Sequence, residues 1–296
     1  MRRRRASSAA VHRLTPFETL RAGPPAVPRI GLALGGGFAR GIAHAGVLRI
    51  FEQHGIPLHC ITGVSAGAIV AAAYASGAEA DEIARVGCSM RFRDVAKWSI
   101  CRMGVMGSER MKRFLEGLLK TYRFEEMRIP LGVVATDLCT GKAVSFRDTG
   151  DVFLPIRASC AYPGLFQPVA CDDRLLVDGA MSMEIPAVVA RELGATHVIS
   201  VALPAPACRR PPKDVFQVIR RCFQIMQGRS EDGWRRASDL IIAPDLKSIE
   251  WNGFESGPEL LKAGEAAALA ALPTIESWVA KTVSCPTQAT VRASFA

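Results

Sequence analysis

The fold of this chain is decided by the stretch IGLALGGGFARG at residues 30–41. Its first five residues form a continuous apolar run, which is typical of a strand buried on both faces of a parallel sheet. Glycines follow, and the apolar positions between Ala39 and His54 then predict a helix. A buried strand that turns through glycines into a helix is the first half of a strand–helix–strand unit.

The same pattern recurs along the chain and sets the fold class. Strands are predicted at Cys60–Thr62, Leu131–Ala135 with Ala143–Phe146 beside it, Leu175–Val177, His197–Leu203 and Leu240–Ala243, and helices at Ala68–Ser76, Pro186–Leu193 and Glu259–Val279, the last interrupted near Pro273. Strands that alternate with helices predict an α/β fold, in which three α/β/α layers surround a mostly parallel central sheet.

Three parts of the chain differ in composition. Residues 1–28 contain six arginines and one glutamate, a net charge of +5 out of the +9 of the whole chain, and predict a flexible basic N-terminal arm. Residues 29–280 are predicted to form the folded domain, and residues 281–296 a C-terminal tail. Within the domain, residues 88–123 mix methionines and aromatic residues with arginines and lysines. This mixture is compatible with a mobile lid, a lipid-facing surface or a helical insertion at the sheet edge.

Composition argues against several classes of protein. Hydrophobic residues make up 49% and charged residues 22% of the chain, as in ordinary soluble domains. The apolar part of the arm is too short for a secretory signal. The uncharged stretch His59–Ala78 is long enough to span a bilayer, but it breaks at Gly63 and continues in small residues that suit a buried helix. Nine cysteines without a C-x-x-C pair indicate reduced thiols and a cytoplasmic location.

The basic arm leaves two interpretations open. Either it contacts the anionic surface of a membrane peripherally, or it is a soluble arm without such a partner. Nucleic-acid binding is not expected, because the charge is concentrated in a tail and the chain has no groove-reading motif. The sequence does not indicate an oligomeric state.

A second motif, GVSAG at residues 63–67, matches G-x-S-x-G. Such a turn from strand to helix holds its serine, here Ser65, in a strained conformation with an exposed hydroxyl, while Gly63 and Gly67 let strand and helix approach. The N-terminus of the following helix stabilises developing negative charge. The pentapeptide alone is a weak signal, but its position between a strand and a small-residue helix favours a nucleophilic serine.

The glycines that follow the first strand offer a matching anion site. The backbone N–H groups of Gly35, Gly36 and Gly37 are not screened by side chains and can hold an anion at the start of a helix. In an acyl hydrolase that anion is the tetrahedral oxyanion, and one such donor contributes roughly 3–4 kcal/mol of transition-state stabilisation.

A dinucleotide site is the rival interpretation of these glycines. However, Arg40 occupies the last glycine position of the G-x-G-x-x-G frame, and residues 63–65 stand where the ribose-binding acid should follow the second strand. A Walker A loop is excluded because no Gly-Lys-Ser/Thr follows.

Two residues are candidates for activating the serine. His197 is the only histidine after Ser65, and the order Ser65, Asp178, His197 is that of an α/β-hydrolase triad. A triad histidine normally lies on a loop, whereas His197 opens an apolar strand, so we interpret it as structural, like His44 in the first helix. Asp178 ends a short strand, and a desolvated carboxylate can deprotonate serine directly. Because Asp178-Gly179 is also a common turn signal, the pattern alone leaves these alternatives open.

Three motifs in this order resemble those of the patatin-like phospholipase family. They are GGGFARG at residues 35–41, GVSAG at 63–67 and DGA at 178–180, supported by IAHAGVL at 42–48 and ASCAYPGLFQP at 158–168. The resemblance extends from about Arg29 to Leu203 and is strongest to small bacterial members with little beyond the catalytic domain. No role is assigned after Leu203.

The resemblance implies hydrolysis of lipid or phospholipid acyl esters by a Ser–Asp dyad that needs no metal or cofactor. Carried onto this chain, Ser65 is the nucleophile and Asp178 the proton acceptor. The alternatives are an esterase with a Ser65–Asp178–His197 triad and a regulatory protein that keeps the fold without turnover. The oxyanion hole is assigned to Gly35, Gly36, Gly37 and Arg40, with Arg40 helping to hold the loop, and Gly179 and Ala180 complete the proton-acceptor motif.

Overall fold

A computed structural model describes residues 10–12, 27–101, 103–107, 109–204, 211–246 and 249–280. The strands are β1 (Val11–His12), β2 (Ile30–Leu34), β3 (Cys60–Gly63), β4 (Lys97–Cys101), β5 (Gly104–Gly107), β6 (Leu131–Asp137), β7 (Ala143–Phe146), β8 (Val169–Cys171), β9 (Arg174–Asp178), β10 (His197–Val201) and β11 (Leu240–Ile242). The helices are α1 (Ile42–Gln53), α2 (Ala66–Ser76), α3 (Ala80–Ser89), α4 (Phe92–Val95), α5 (Glu109–Leu118), α6 (Phe153–Ser159), α7 (Ala187–Glu192), α8 (Val215–Ala237) and α9 (Gly257–Ala280).

Nine strands of the described part of the chain form one mixed sheet. Its order is β1-β7-β6-β3-β2-β10-β11, with β9 beside β6 and β8 beside β9. The five neighbouring strands from β6 to β11 run parallel, and the antiparallel strands gather at the β6 end. In the centre, Leu34 at the end of β2 lies beside Gly63 of β3 and Val201 of β10. The predicted, mostly parallel sheet is confirmed.

Alternate residues of β2 face two different helix layers. Ile30, Leu32 and Leu34 pack into a core shared with α1, α2 and α9. Ala33 faces the opposite core, which contains α7 and Trp234 of α8. Because successive residues of a strand point to opposite faces, the sheet lies between two helix layers. The predicted three-layer α/β/α architecture is confirmed, and burial on both faces explains why β2 is apolar throughout.

The uncharged stretch His59–Ala78 is divided between β3 and α2, with the turn between them at Val64 and Ser65. Among the residues that the structure describes, no helix combines the length and the hydropathy needed to cross a membrane.

Two helices differ from the predictions near the C-terminus. α9 continues through Pro273, where an interruption was expected. Proline removes the hydrogen bond to the carbonyl four residues earlier, which belongs to Leu269. Leu269 is exposed, so that carbonyl has access to water. The second difference is α8, a helix of 23 residues that was not predicted.

The segment at residues 88–123 is not an all-helical insertion. A two-stranded antiparallel hairpin, β4 and β5, lies between α4 and α5. The prediction of a helical insertion is therefore wrong for this part, where the β-favouring residues Trp98, Ile100 and Val105 stand. The alternative that the segment acts as a lid stays a prediction.

Three residues of the predicted arm belong to the fold. β1 pairs antiparallel with β7, with Val11 opposite Phe146, and the Ala10 N–H donates to the Thr149 carbonyl at 2.9 Å. A flexible arm is therefore the wrong description for residues 10–12, because β7 has an open edge whose backbone groups accept a partner strand. Residues 1–9, 13–26 and 281–296 lie outside the described ranges, and the predictions for them stay predictions.

Candidate active site

Ser65 lies at the turn between β3 and α2 with an unusual backbone conformation. Its φ of 55° and ψ of −123° fall in a region that residues with side chains rarely adopt. The Ser65 N–H donates to the Ser159 hydroxyl at 2.8 Å, and that hydroxyl donates to the Val134 carbonyl at 2.6 Å. Since such a conformation is strained, it persists only where the surroundings hold it, and Ser159 supplies part of this support.

The glycines on either side of Ser65 are required by close backbone contacts. A Cβ atom on Gly63 would overlap the carbonyl of Gly67, and a Cβ atom on Gly67 would overlap the carbonyl of Leu34. The first turn of α2 can therefore lie directly against the ends of β2 and β3, with Ser65 raised between them.

The glycine loop after β2 faces Ser65. A Cβ atom on Gly36 would lie 3.3 Å from the Cβ of Ser65. Within the described ranges, the N–H groups of Gly36 and Gly37 have no hydrogen-bond acceptor, so both are available to an anion. The Gly35 N–H donates to the Val201 carbonyl at 3.2 Å. This amide, predicted as part of the oxyanion hole, is already used within the sheet.

Two buried side chains hold this loop in place. Nε2 of His44 lies 2.8 Å from the Gly35 carbonyl, and burial lowers the pKa of His44 to about 4. The ring is therefore neutral near pH 7, and Nε2 donates its proton to that carbonyl. Arg40 donates to the carbonyls of Ile249 and Pro204, both at 3.2 Å. Its Nη2 has no acceptor among the described residues.

The antiparallel strand β9 brings Asp178 to Ser65. β3 pairs with the first half of β6 and ends at Gly63; β9 then takes its place along β6, with Asp178 opposite Ala135. Asp178 thus lies just beyond the end of β3, where the chain turns at Ser65. If β9 ran parallel to β6 instead, the chain would need a long crossover connection before it.

The Asp178 carboxyl is buried in an environment that disfavours its charge. It is 1% exposed, and Oδ1 accepts a hydrogen bond from the Ala180 N–H at 2.9 Å. Burial raises the pKa of Asp178 to about 7, and hydrogen bonds from the Ala180 amide and the Ser65 hydroxyl partly oppose this rise. A Cβ atom on Gly179 would overlap the Val134 carbonyl, which explains the glycine after the aspartate.

Two cavities meet at Ser65. The apolar one has a cavity volume of about 90 Å³, and its walls are almost entirely hydrocarbon and aromatic. The other is polar and also contains Asp178, Gly36 and Gly37. Among the residues described, no three His, Cys, Asp or Glu side chains are grouped as metal ligands. The apolar lining includes Ile69, Ile83, Met90, Phe92, Met111 and Phe114, and the polar lining includes Arg40, Glu184, Arg220, Gln224, Gln227 and Trp251.

His197 lies at the other end of the sheet. It begins β10 and pairs with Ile30 at the start of β2, whereas Ser65 follows the end of β3. Four steps along a strand separate these two edges by about 13 Å. The His197 ring packs against Trp278, with centroids 4.8 Å apart. The alternative of a Ser65–Asp178–His197 triad is therefore wrong for this structure, because β10 runs parallel to β2 and β3.

Several residues of the site were missed from the sequence. Ser159 lies in the ASCAYPGLFQP stretch that supported the resemblance, but the sequence offered no reason to assign it a role. The signal for it was a small hydroxyl side chain among apolar neighbours. Arg220, Gln224 and Gln227 come from α8, in the region without an assigned role. Their spacing of four and then three residues is that of one helix face, which a search for polar periodicity could have found.

Comparison with known proteins gives matches over the same region. The sequence model of the patatin-like phospholipases matches residues 32–191. An uncharacterised NTE family protein of Mycobacterium tuberculosis is 36% identical over 179 residues, which cover 60% of this chain and 49% of that protein. The lysophospholipase NTE1 of Mycosarcoma maydis is 33% identical over 180 residues, 58% of this chain and 9% of its own. The chain thus spans about half the length of the first relative and far less of the second.

A solved structure shows the same fold. VipD from Legionella pneumophila superposes with a TM-score of 0.57 at 13% identity, covering 84% of this chain and 67% of that one. The family match spans more than half of the chain and includes the turn at Ser65, the glycine loop and Asp178. The chain belongs to the patatin-like phospholipase family.

Proposed function

We propose that this protein hydrolyses acyl esters of lipids, with Ser65 as nucleophile and Asp178 as general base. One observation carries the proposal: a buried carboxyl with a pKa of about 7 interacts with the hydroxyl of a serine in a strained turn. A general base works best when its pKa lies near the operating pH, and burial provides that match here. The free amides belong to Gly36 and Gly37, which line the same cavity as Ser65 and Asp178.

The reaction has two halves that use the same groups. The Ser65 hydroxyl oxygen attacks the ester carbonyl carbon while its proton passes to Asp178, and the carbonyl oxygen becomes an oxyanion held by the two glycine amides. The C–O bond to the alcohol then breaks, and Asp178 returns the proton to the departing alkoxide. In the second half, a water molecule gives a proton to Asp178 while its oxygen attacks the carbonyl carbon of the acyl-serine. The C–O bond to Ser65 then breaks, Asp178 returns the proton to the Ser65 oxygen, and the fatty acid is released.

The two cavities support a substrate with an acyl chain and an anionic head. The apolar cavity suits the chain, because its lining is almost entirely hydrocarbon and aromatic. The polar cavity contains the guanidinium groups of Arg40 and Arg220, and Nη2 of Arg40 has no acceptor within the described ranges. Guanidinium groups bind phosphate in a bidentate manner, so we propose a phospholipid or lysophospholipid rather than a neutral glyceride. A relative that carries the name lysophospholipase is consistent with this choice.

Covalent labelling with a fluorophosphonate tests the nucleophile. The wild-type protein is expected to label and Ser65→Ala not to label. Ser182→Ala is the matched control, because this serine lies four residues after Asp178 and its hydroxyl is bonded to Thr136 at 2.8 Å. A folded wild-type protein that does not label would favour the alternative of a regulatory protein that keeps the fold without turnover.

A pair of substrates with the same acyl chain tests the anionic head. Arg220→Gln is expected to raise KM for lysophosphatidylcholine about tenfold, because the loss of one hydrogen bond to a charged group weakens binding by about that factor. KM for the monoacylglycerol should stay unchanged. An equal change for both substrates would contradict a phosphate subsite at Arg220.

A further inference from the structure

One face of α8 presents apolar side chains to solvent. Val215, Val218, Ile225 and Met226 are between 45% and 63% exposed, and the exposed Cys222 lies between them. Steps of three and four residues along a helix return to the same face, so these five side chains form one stripe, here called the α8 stripe. In a soluble domain the apolar stripe of a surface helix normally faces the core, and an apolar patch exposed in this way marks an interaction surface.

The opposite face of α8 is already occupied by the active site. The Phe223 ring packs on Tyr162 with centroids 5.3 Å apart, and Arg220 lies over the Trp251 ring at 5.8 Å. Gln224 lines the polar cavity that contains Ser65. The stripe is therefore not a displaced core face. It lies on the outer side of a helix whose inner side lines the route to Ser65.

The charge on α8 indicates which kind of partner binds the α8 stripe. Apart from Arg220 on the inner face, residues 215–230 contain Arg221 and Arg229 and no acidic residue. Glu231 and Asp232 follow in the next turn together with Arg235 and Arg236, so the five arginines and two acidic residues of α8 give it a net charge of +3. A second copy of this chain, docked through the same face, would bring positive charge against positive charge. A helix with apolar residues on one face and arginines beside them suits an anionic lipid surface, which offers acyl chains and phosphate groups together.

We propose that α8 is a membrane-docking helix. Val218, Ile225 and Met226 enter the boundary between headgroups and acyl chains of an anionic bilayer, and Arg229 contacts the lipid phosphates. Only the biological purpose of docking rests on the proposed function, because binding to a membrane does not itself require turnover.

Vesicle sedimentation of the Ser65→Ala protein tests docking without any hydrolysis. The vesicles consist of phosphatidylcholine mixed with phosphatidylserine, or of phosphatidylcholine alone. The triple variant Val218→Gln, Ile225→Gln and Met226→Gln is expected to bind the mixed vesicles at least about tenfold more weakly. Glutamine favours a helix at least as well as valine and isoleucine, so the thermal unfolding midpoint should not fall. Leu269→Gln, at an exposed apolar position on α9, is the matched control and should bind normally.

A charge variant tests the lipid phosphates separately. Arg229→Gln is expected to weaken binding to the mixed vesicles about fivefold and to change binding to phosphatidylcholine alone very little. Arg85→Gln, an exposed arginine on α3, is its control and should have no effect.

Three results would overturn the proposal. The first is a folded triple variant that binds vesicles as well as the Ser65→Ala protein. The second is light scattering that shows a dimer which the triple variant dissociates, since the stripe would then belong to a subunit interface. The third is loss of binding when Arg2–Arg5 are replaced by glutamine while the triple variant still binds, which would assign the contact to the arm. None of these results depends on whether Ser65 is a nucleophile.

Discussion

Replacing Asp178 by asparagine tests the electrostatics of the site through stability as well as turnover. The Asp178 carboxyl is 1% exposed, and burial raises its pKa to about 7 from an ordinary value of 3.8. Asparagine has nearly the same shape, and its side-chain oxygen can accept the same hydrogen bond from the Ala180 N–H. It cannot carry a negative charge and cannot take a proton from Ser65.

The raised pKa sets the sign and the size of the expected effect. Between about pH 4 and pH 7 the folded protein retains a proton on Asp178 that the unfolded chain has lost, so stability falls as the pH rises. The interval between the two pKa values corresponds to about 4 kcal/mol in the free energy of unfolding, all of it lost by about pH 8. We therefore expect Asp178→Asn to be more stable than the wild type by a few kcal/mol near pH 8, and similar to it near pH 4.

Urea unfolding of both proteins over this pH range measures the difference. Glu52 and Glu184 also have pKa values raised by burial, but they are present in both proteins and cancel in the comparison. In parallel, kcat/KM of the wild type should rise with pH to a plateau above about pH 7, because only the ionised carboxyl accepts a proton. In the variant kcat/KM should fall by a factor of about 10² to 10⁴. A stability difference that does not change with pH, or a variant with normal turnover, would refute this account of Asp178.

Three further substitutions distinguish residues that hold the site in place from residues that take part in the reaction. Ser159→Ala removes the acceptor of the Ser65 N–H, and we expect unfolding free energy to fall by about 1–3 kcal/mol in urea and kcat to fall with it. If the Ser159→Ala protein were less stable but kept the full kcat, Ser159 would not be the residue that holds the turn. His44→Leu leaves the Gly35 carbonyl unpaired, so kcat should fall without a shift in the pH–rate profile, because the His44 ring is neutral; a shifted profile would instead make His44 a titrating group of the site. His197→Ala should keep most of the turnover, and a loss as large as that of Ser65→Ala would restore the triad.

The sequence alone determined the elements that depend on local chemistry. A strand buried on both faces must be apolar at every position, and β2 shows this in its five residues. A sharp turn between strand and helix needs small residues around its serine, which is why GVSAG predicts the place of Ser65. Both signals involve neighbours in the chain, so no knowledge of distant contacts is required to find them.

Tertiary structure decided which residues join Ser65. Asp178 and His197 both stand next to short strands in the sequence, but β9 runs antiparallel into the space beyond β3, while β10 runs parallel with His197 at its far end. Strand direction and order come from pairing between distant segments, 43 residues apart for Ala135 and Asp178 and 167 for Ile30 and His197, and no local pattern encodes them. The same holds for Ser159 and for α8. The raised pKa of Asp178 is also a property of packing, because it arises from the removal of water by the surrounding elements and not from the Asp-Gly-Ala motif itself.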